Sequence, residues 1–221
     1  LERSMMKSDQ QLQKDVLAEL AWESSVNATH IGVEVDQGVV TLSGHVENFA
    51  EKWGAERAVK RVSGVRAVAI EMDVKLKDAS KRTDSDIAIS AANALEWQSN
   101  VPKNAIQISV ENGTVTLSGE VTWDYQREVA TAAVRHLLGV RGIVNQILIK
   151  PKVSLTAVKT DIETALKRRA TMDAQEINVS VNADTVTLTG KVHSWAEKNL
   201  AINSAWNTPG VRSVIDKMVF A

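Results

Sequence analysis

The chain repeats itself three times. Thr41-Leu42-Ser43-Gly44 recurs as Thr116-Leu117-Ser118-Gly119 and as Thr187-Leu188-Thr189-Gly190, 75 and then 71 residues further along. Gly64-Val65-Arg66 recurs as Gly139-Val140-Arg141 and Gly210-Val211-Arg212 with the same two offsets. Two motifs kept in register across three copies make the 221 residues a tandem array of modules of about 70 residues each. A unit that small buries a modest share of its surface and is marginally stable alone. The linkers, 77–83 and 150–154, are short, so the modules are expected to touch.

Aligned on these motifs, the copies give the same order of elements. Leu12, Val16 and Leu20 match Ile87, Ala91 and Leu95, then Val158, Ile162 and Leu166. Apolar residues at i, i+4 and i+8 among polar ones form one stripe of an amphipathic helix. Strict alternation follows in Ile31, Val33, Val35, in Ile106, Ile108, Val110 and in Ile177, Val179, Val181, as in a half-buried strand. The turns Asp36-Gln37-Gly38, Glu111-Asn112-Gly113 and Asn182-Ala183-Asp184 lead to a second strand carrying Val40, Leu42 and Val46 or their equivalents. Asn-Gly is a strong hairpin signal because both residues tolerate positive φ.

Gly44, Gly119 and Gly190 share the parity of the inward residues of that strand. The spacing therefore predicts that they face the core and let a second helix approach closely. That helix is slim, with Ala55, Ala58, Val59 and Val62 in the first copy and Ala130, Ala133, Val134 and Leu137 in the second. Gly64, Gly139 and Gly210 are expected to end it as C′ residues, ahead of a third strand over 65–76, 140–149 and 211–220. The fold class is thus α+β: three tandem αββαβ modules over 8–76, 84–150 and 155–221, each a small three-stranded mixed sheet packed against two helices.

Composition narrows the chemistry. Lys and Arg number 26 against 27 for Asp and Glu, a net charge of −1 that lacks the basic excess of a dedicated nucleic-acid binder. With no cysteine, disulfides, thiolate nucleophiles and Cys-ligated metals are excluded. The four histidines, His30, His45, His136 and His193, show no His-x-x-x-His spacing and read as surface residues. No P-loop, Gly-x-Ser-x-Gly or dinucleotide fingerprint occurs, so no enzyme, cofactor or metal is expected. The acidic residues Asp36, Glu111 and Asp184 near the hairpins are possible ion ligands, though scattered along the chain.

Candidate binding residues come from the repeats instead. Arg66, Arg141 and Arg212 could make three similarly placed anion contacts, against the plainer roles of solvated charge or cap on helix-end carbonyls. Tryptophan supplies six of nine aromatics. Trp22 and Trp97 are equivalent, at the end of the first helix, where the third copy has Arg168. Trp123 and Trp195 flank the start of the second helix, and Trp53 and Trp206 lie within it. Packing within or between small modules is the favoured role for tryptophan here, with an interfacial role as the rival. Arg66, Arg141, Arg212, Trp123 and Trp195 form the candidate binding surface. Lysines and arginines near the linkers (Lys75, Lys77, Lys81, Arg82; Lys150, Lys152; Lys167, Arg168, Arg169) would favour anionic lipid, or simply solvate the linkers.

The strand–turn–strand ending Thr-Leu-Ser-Gly, followed by a helix and Gly-Val-Arg, resembles the BON domain (bacterial osmotically inducible and nodulation domain) over nearly all of residues 8–221. The likeness rests on Gly44 and Gly64, Gly119 and Gly139, Gly190 and Gly210 with their neighbours. The resemblance implies a non-catalytic stress or envelope protein whose modules bind phospholipid surfaces, hydrophobic ligands or an envelope component, with no nucleic acid involved. The alternative is a cytoplasmic small-ligand or ion sensor whose modules close around a solute. The chain opens Leu1-Glu2-Arg3-Ser4 before Met5 and Met6, and no apolar leader follows. A start at either Met predicts a cytoplasmic location; loss of a leader upstream would make it periplasmic.

Overall fold

The computed structural model describes residues 7–150 and 177–220. In the first module α1 (Asp9–Trp22) leads to β1 (Ile31–Asp36), β2 (Val39–Val46), α2 (Phe49–Arg61) and β3 (Ala67–Val74). The second repeats this order with α3 (Asp84–Glu96), β4 (Ile106–Glu111), β5 (Thr114–Val121), α4 (Asp124–Arg135) and β6 (Gly142–Ile149). In the third, β7 (Ile177–Asn182), β8 (Thr185–Val192), α5 (Trp195–Trp206) and β9 (Ser213–Phe220) follow the same plan. The first helix predicted for that module, with Val158, Ile162 and Leu166, lies outside the described residues, as does Lys152. By contacts the chain forms two compact units. Among the described residues, one is 7–80 with His193–Ala196 and Phe220; the other is 81–150 and 177–192 with Glu197–Val219.

Each sheet has three strands, with the second strand of the module at its centre. β1 pairs antiparallel with β2, and β2 pairs parallel with β3, the crossover being α2. The second module has the same register, shifted by the repeat. The helical stripe read from the sequence is the buried one: Leu12, Val16 and Leu20 are at most 1% exposed and meet Val40, Leu42 and Val46 from β2. A fully buried aliphatic side chain contributes roughly 1.5–3 kcal/mol. Ala55, Ala58 and Val59 of α2 complete this core from the other flank.

Caps set the helix starts. The Ser8 hydroxyl accepts from Gln11 N–H at 3.2 Å, and Thr83 and Asp86 form a reciprocal capping box on α3. Asn48 accepts from Glu51 N–H at 2.9 Å at the start of α2.

The motif glycines work differently from the parity argument. Gly44 and Gly119 have φ of +103° and +125°, and a Cβ on either would collide with a backbone carbonyl, that of His30 or Ala105. The close approach is therefore made by the residue just before the first strand, in the plane of the sheet, and not by the second helix. The later glycine is the one backed by a helix: a Cβ at Gly139 would stand 2.8 Å from Ile87 Cδ1, which belongs to the first helix of the module. Its positive φ of 89° is as expected, and Gly64 and Gly210 match it at 99° and 88°. The helix has already ended by then, since α2 stops at Arg61 with Val62 as its cap and Gly64 occupies the following turn. The third strand accordingly begins at Ala67, two residues later than the 65 predicted.

Candidate functional site

At one end of each module the hairpin turn is held by residues from two other elements. In the first module the Asp9 carboxylate, at the start of α1, accepts the N–H groups of Gln37 and Gly38, both at 3.0 Å. In the second, Asp84 accepts those of Asn112 and Gly113 at 2.8 and 2.9 Å. Both turn residues have positive φ (48° and 77°; 51° and 77°), so their N–H groups point outward together and suit one bidentate carboxylate.

The motif arginine closes the turn from the other side. Arg66 N–H donates to Gly38 O at 2.9 Å, Arg141 N–H to Gly113 O at 2.8 Å and Arg212 N–H to Asp184 O at 2.9 Å. The aliphatic stems lie across the turn glycines: a Cβ on Gly38 would be 2.9 Å from Arg66 Cδ, and one on Gly113 would be 3.0 Å from Arg141 Cγ. Arg212 adds an ion pair with Asp184, Nε to Oδ2 at 3.2 Å. All three arginines are exposed, so their guanidinium groups reach water. What the backbone of each does is tie the third strand to the hairpin, not cap the preceding helix. Asp184 is thereby engaged in structure, which weakens its case as part of an ion sensor.

A second buried junction was not visible in the sequence. Glu51 is 6% exposed, and its two carboxylate oxygens accept Asn27 N–H (2.6 Å) and Glu47 N–H (2.9 Å). Gln126 occupies the same place in the second module, 8% exposed. It accepts from Thr122 and Trp123 N–H and donates to Asn100 O at 3.0 Å. These side chains fix the loop before the first strand to the start of the second helix.

The tryptophans divide into two groups. Trp53 lies under Arg57 and Trp206 under Arg127, at 4.8 and 4.9 Å from guanidinium carbon to ring centre. Trp195 packs on Phe220 with ring centres 5.2 Å apart and carries the Lys60 ammonium at 5.0 Å. Trp123 is 37% exposed. Trp22 and Trp97 are the outliers at 85% and 86% exposed, which overturns packing within their own modules as their role. Their direction was legible: Trp22 comes two residues after Leu20, about 200° around a helix from the buried stripe. Arg66, Arg141, Arg212 and Trp123 all reach the surface, Trp195 is half-buried, and the most exposed tryptophans are two outside that set.

Beside Trp97 the second module opens a cleft of about 390 Å³ between α3 and β4. Ala92, Leu95, Val101, Pro102, Ile106 and Ile108 supply its apolar lining, with Lys103 among the polar residues. Ile89, on the same helix, is 59% exposed. The first module has Leu17 where the second has Ala92. Near the linkers, Lys77 pairs with Glu47 at 2.8 Å and Lys150 with Glu120 at 3.0 Å. Such exposed pairs are worth at most about 1 kcal/mol and leave the lysines available to other anions.

Hydrogen bonds from Arg61 and Ser25 hold the Glu23 carboxyl below its ordinary range, and Lys7 and Gln11 do the same for Asp15. Burial raises Asp124, against the opposing pull of Arg127. None of these groups lies in the cleft. Among the described residues no three His, Asp or Glu side chains gather closely enough to hold a metal ion, and no helix is long and apolar enough to cross a membrane.

The comparisons agree with the repeats. Osmotically-inducible protein Y of Escherichia coli (strain K12) is 30% identical over 148 residues, spanning 64% of this chain and 73% of that protein. Outer membrane lipoprotein DolP of Haemophilus influenzae is 26% identical over 165 residues, 71% of this chain and 85% of that protein. CdsD, a structural protein of the type III secretion system of Chlamydia trachomatis, aligns over 96% of this chain and 92% of its own, at 16% identity and a TM-score of only 0.25, too low to bear on function. The cytoplasmic expectation finds no support in these relatives, one of which is by name an outer membrane protein. The BON domain model matches residues 8–75, 83–151 and 154–221, and the chain belongs to the BON domain family.

Proposed function

We propose that the chain is a non-catalytic, stress- and envelope-associated binding protein that docks on phospholipid surfaces through Trp22, Trp97 and the apolar residues around them. The observation that carries this reading is the exposure of Trp22 and Trp97, 85% and 86%, at equivalent ends of two first helices. A Trp side chain left in water twice at one repeat position adds nothing to the core, whereas an amphipathic indole is well suited to the boundary between headgroups and acyl chains. Arg66, Arg141 and Arg212, with the linker lysines, supply attraction to anionic headgroups at about 1 kcal/mol per charge near the surface. The names of the two relatives, one osmotically inducible and one an outer membrane lipoprotein, support the stress and envelope setting.

The cleft beside Trp97 favours a second reading, in which a single hydrophobic ligand enters the module. Ala92→Leu separates the two. It puts into the cleft the larger residue that the first module carries at the equivalent position, Leu17, while leaving Trp97 in place. Co-sedimentation with vesicles of phosphatidylglycerol and phosphatidylcholine should be unchanged in Ala92→Leu and reduced in Trp22→Ser/Trp97→Ser. Loss in the first with retention in the second selects the small-ligand reading. No sedimentation of the parent chain at any anionic content refutes the membrane reading.

A further inference from the structure

The geometry points to a transition-metal site, for Zn²⁺ or Cu²⁺, formed by the paired imidazoles of His30 and His45 on the open face of the first module's sheet. The two rings are stacked, with centroids 4.6 Å apart and planes 13° from parallel. They lie 15 positions apart in sequence, which hides them from any helical ligand spacing, but the hairpin register brings them together. Ile31 pairs with Gly44 at the end of the ladder, and His30, the last residue of the short 3-10 turn before β1, stacks on His45 just beyond it.

Cross-strand neighbours on one face of a sheet are the natural two-point chelate, because the backbone fixes the separation of the side chains. Zinc–imidazole bonds of about 2.0–2.1 Å at a tetrahedral angle need nitrogens about 3.3 Å apart. In the stack the nitrogen lone pairs run side by side, so binding one ion requires both rings, exposed or half-buried, to turn out of the stack until one nitrogen of each converges on it. Two protein ligands leave the remaining positions to water, consistent with the absence of any three-residue cluster among the described residues.

The surroundings favour a cation. Asp73 is the register partner of His45 on β3, beside the stacked pair. Glu71, Glu34 and Asp36 occupy outward positions on the same face, where β1, β2 and β3 carry no Lys or Arg. An acidic face raises the local concentration of a dication and stabilises the bound state. The other modules lack the pair. By repeat offset the equivalent residues in the sequence are Ala105, Glu120 and Leu148, then Glu176, Lys191 and Val219, so the histidine pair is particular to the first module. Imidazole is a ligand suited to zinc and copper, and the Irving–Williams order predicts tighter binding of Cu²⁺ than of Zn²⁺.

The test uses the full chain without a histidine tag, titrated with ZnCl₂ and, separately, with Cu²⁺. Calorimetry should show one Zn²⁺ site whose affinity falls at least tenfold in His30→Gln and in His45→Gln, and does not change in His136→Gln. Electron paramagnetic resonance of the Cu²⁺ form should report two imidazole nitrogens in the parent and one in either variant. Equal Zn²⁺ affinity in the parent and in His30→Gln/His45→Gln, or a Cu²⁺ spectrum without two coupled imidazoles, overturns the site. Circular dichroism of each variant confirms that the sheet is intact. Because the site uses neither Trp22 nor Trp97, failure here leaves the membrane reading untouched.

Discussion

The Asp84 carboxylate at the start of α3 takes the N–H of Gly113 at 2.9 Å and that of the neighbouring Asn112 at 2.8 Å, joining a helix N-terminus to a hairpin turn 29 residues away. Asp9 repeats the arrangement on Gln37 and Gly38. A hydrogen bond to a charged group contributes roughly 1.5–3 kcal/mol, less where water competes. Asp84→Ala should therefore lower stability by about 1–3 kcal/mol, and Asp84→Asn, which keeps one acceptor, by about half as much. Urea denaturation measures both. Equal midpoints for the parent and Asp84→Ala would mean that the turn holds itself and the carboxylate adds nothing.

Gly119 gives a sharper contrast. If a helix packed over it, damage would grow with side-chain size, and Val would cost far more than Ala. The structure instead sets a φ of +125° and the Ala105 carbonyl against the first carbon of any side chain. Gly119→Ala alone should then cost about 1–3 kcal/mol through backbone strain and collision, and Gly119→Val little more. A cost for Val several times that for Ala would restore the overpacked helix. Thermal denaturation of the two variants decides it.

These contrasts show what the sequence could convey. Leu12, Val16 and Leu20 were legible because burial on one helix imposes a period, and their equivalents repeat it. Gly44 and Gly119 were marked as sites of close approach, but parity says which face a residue shares, not which neighbour comes near. Asp84 and Gly113, or His30 and His45, carry no period at all: a helix start meets a hairpin turn, and the turn before one strand meets the end of the next. Those contacts are set by the pairing of elements, which no single segment encodes. Trp22 was an intermediate case, since its angle from Leu20 already turned it away from the core.

Acid should weaken the contact of α1 with α2 before it unfolds the rest. Glu23 pairs with Arg61 at 2.7 Å, and its carboxyl is held below the ordinary 4.5 chiefly by that hydrogen bond. A carboxylate depressed in the folded state contributes stability above its unfolded value and loses it as pH falls through the folded one. The stability difference between the parent and Glu23→Gln should therefore be full at pH 7 and disappear as pH falls below 4.5. Asp124, raised by burial, acts in the opposite sense and is common to both chains. A difference that persists undiminished in acid would show that the pair contributes through packing and not through charge.

Membrane docking, if it uses the two exposed indoles, separates from the arginine surface in one set of variants. Trp22→Ser/Trp97→Ser removes the side chains that would enter the headgroup boundary and leaves every core contact in place. Its stability should match the parent's while its affinity for anionic vesicles falls at least tenfold. Arg66→Gln/Arg141→Gln/Arg212→Gln keeps the backbone N–H groups that close the hairpins, so it should lose affinity mainly at low salt. Charge attraction is screened over about 8–10 Å near physiological ionic strength, whereas indole insertion is far less sensitive. The parent's binding should thus fall as salt rises to a plateau, with the arginine variant already near that plateau and the tryptophan variant falling towards zero. Tryptophan emission should shift to the blue when the parent meets vesicles, because two of the six indoles leave water. A blue shift retained in full by the Trp22/Trp97 variant would assign insertion to Trp123, the next most exposed tryptophan, and remove the first-helix ends from the docking surface.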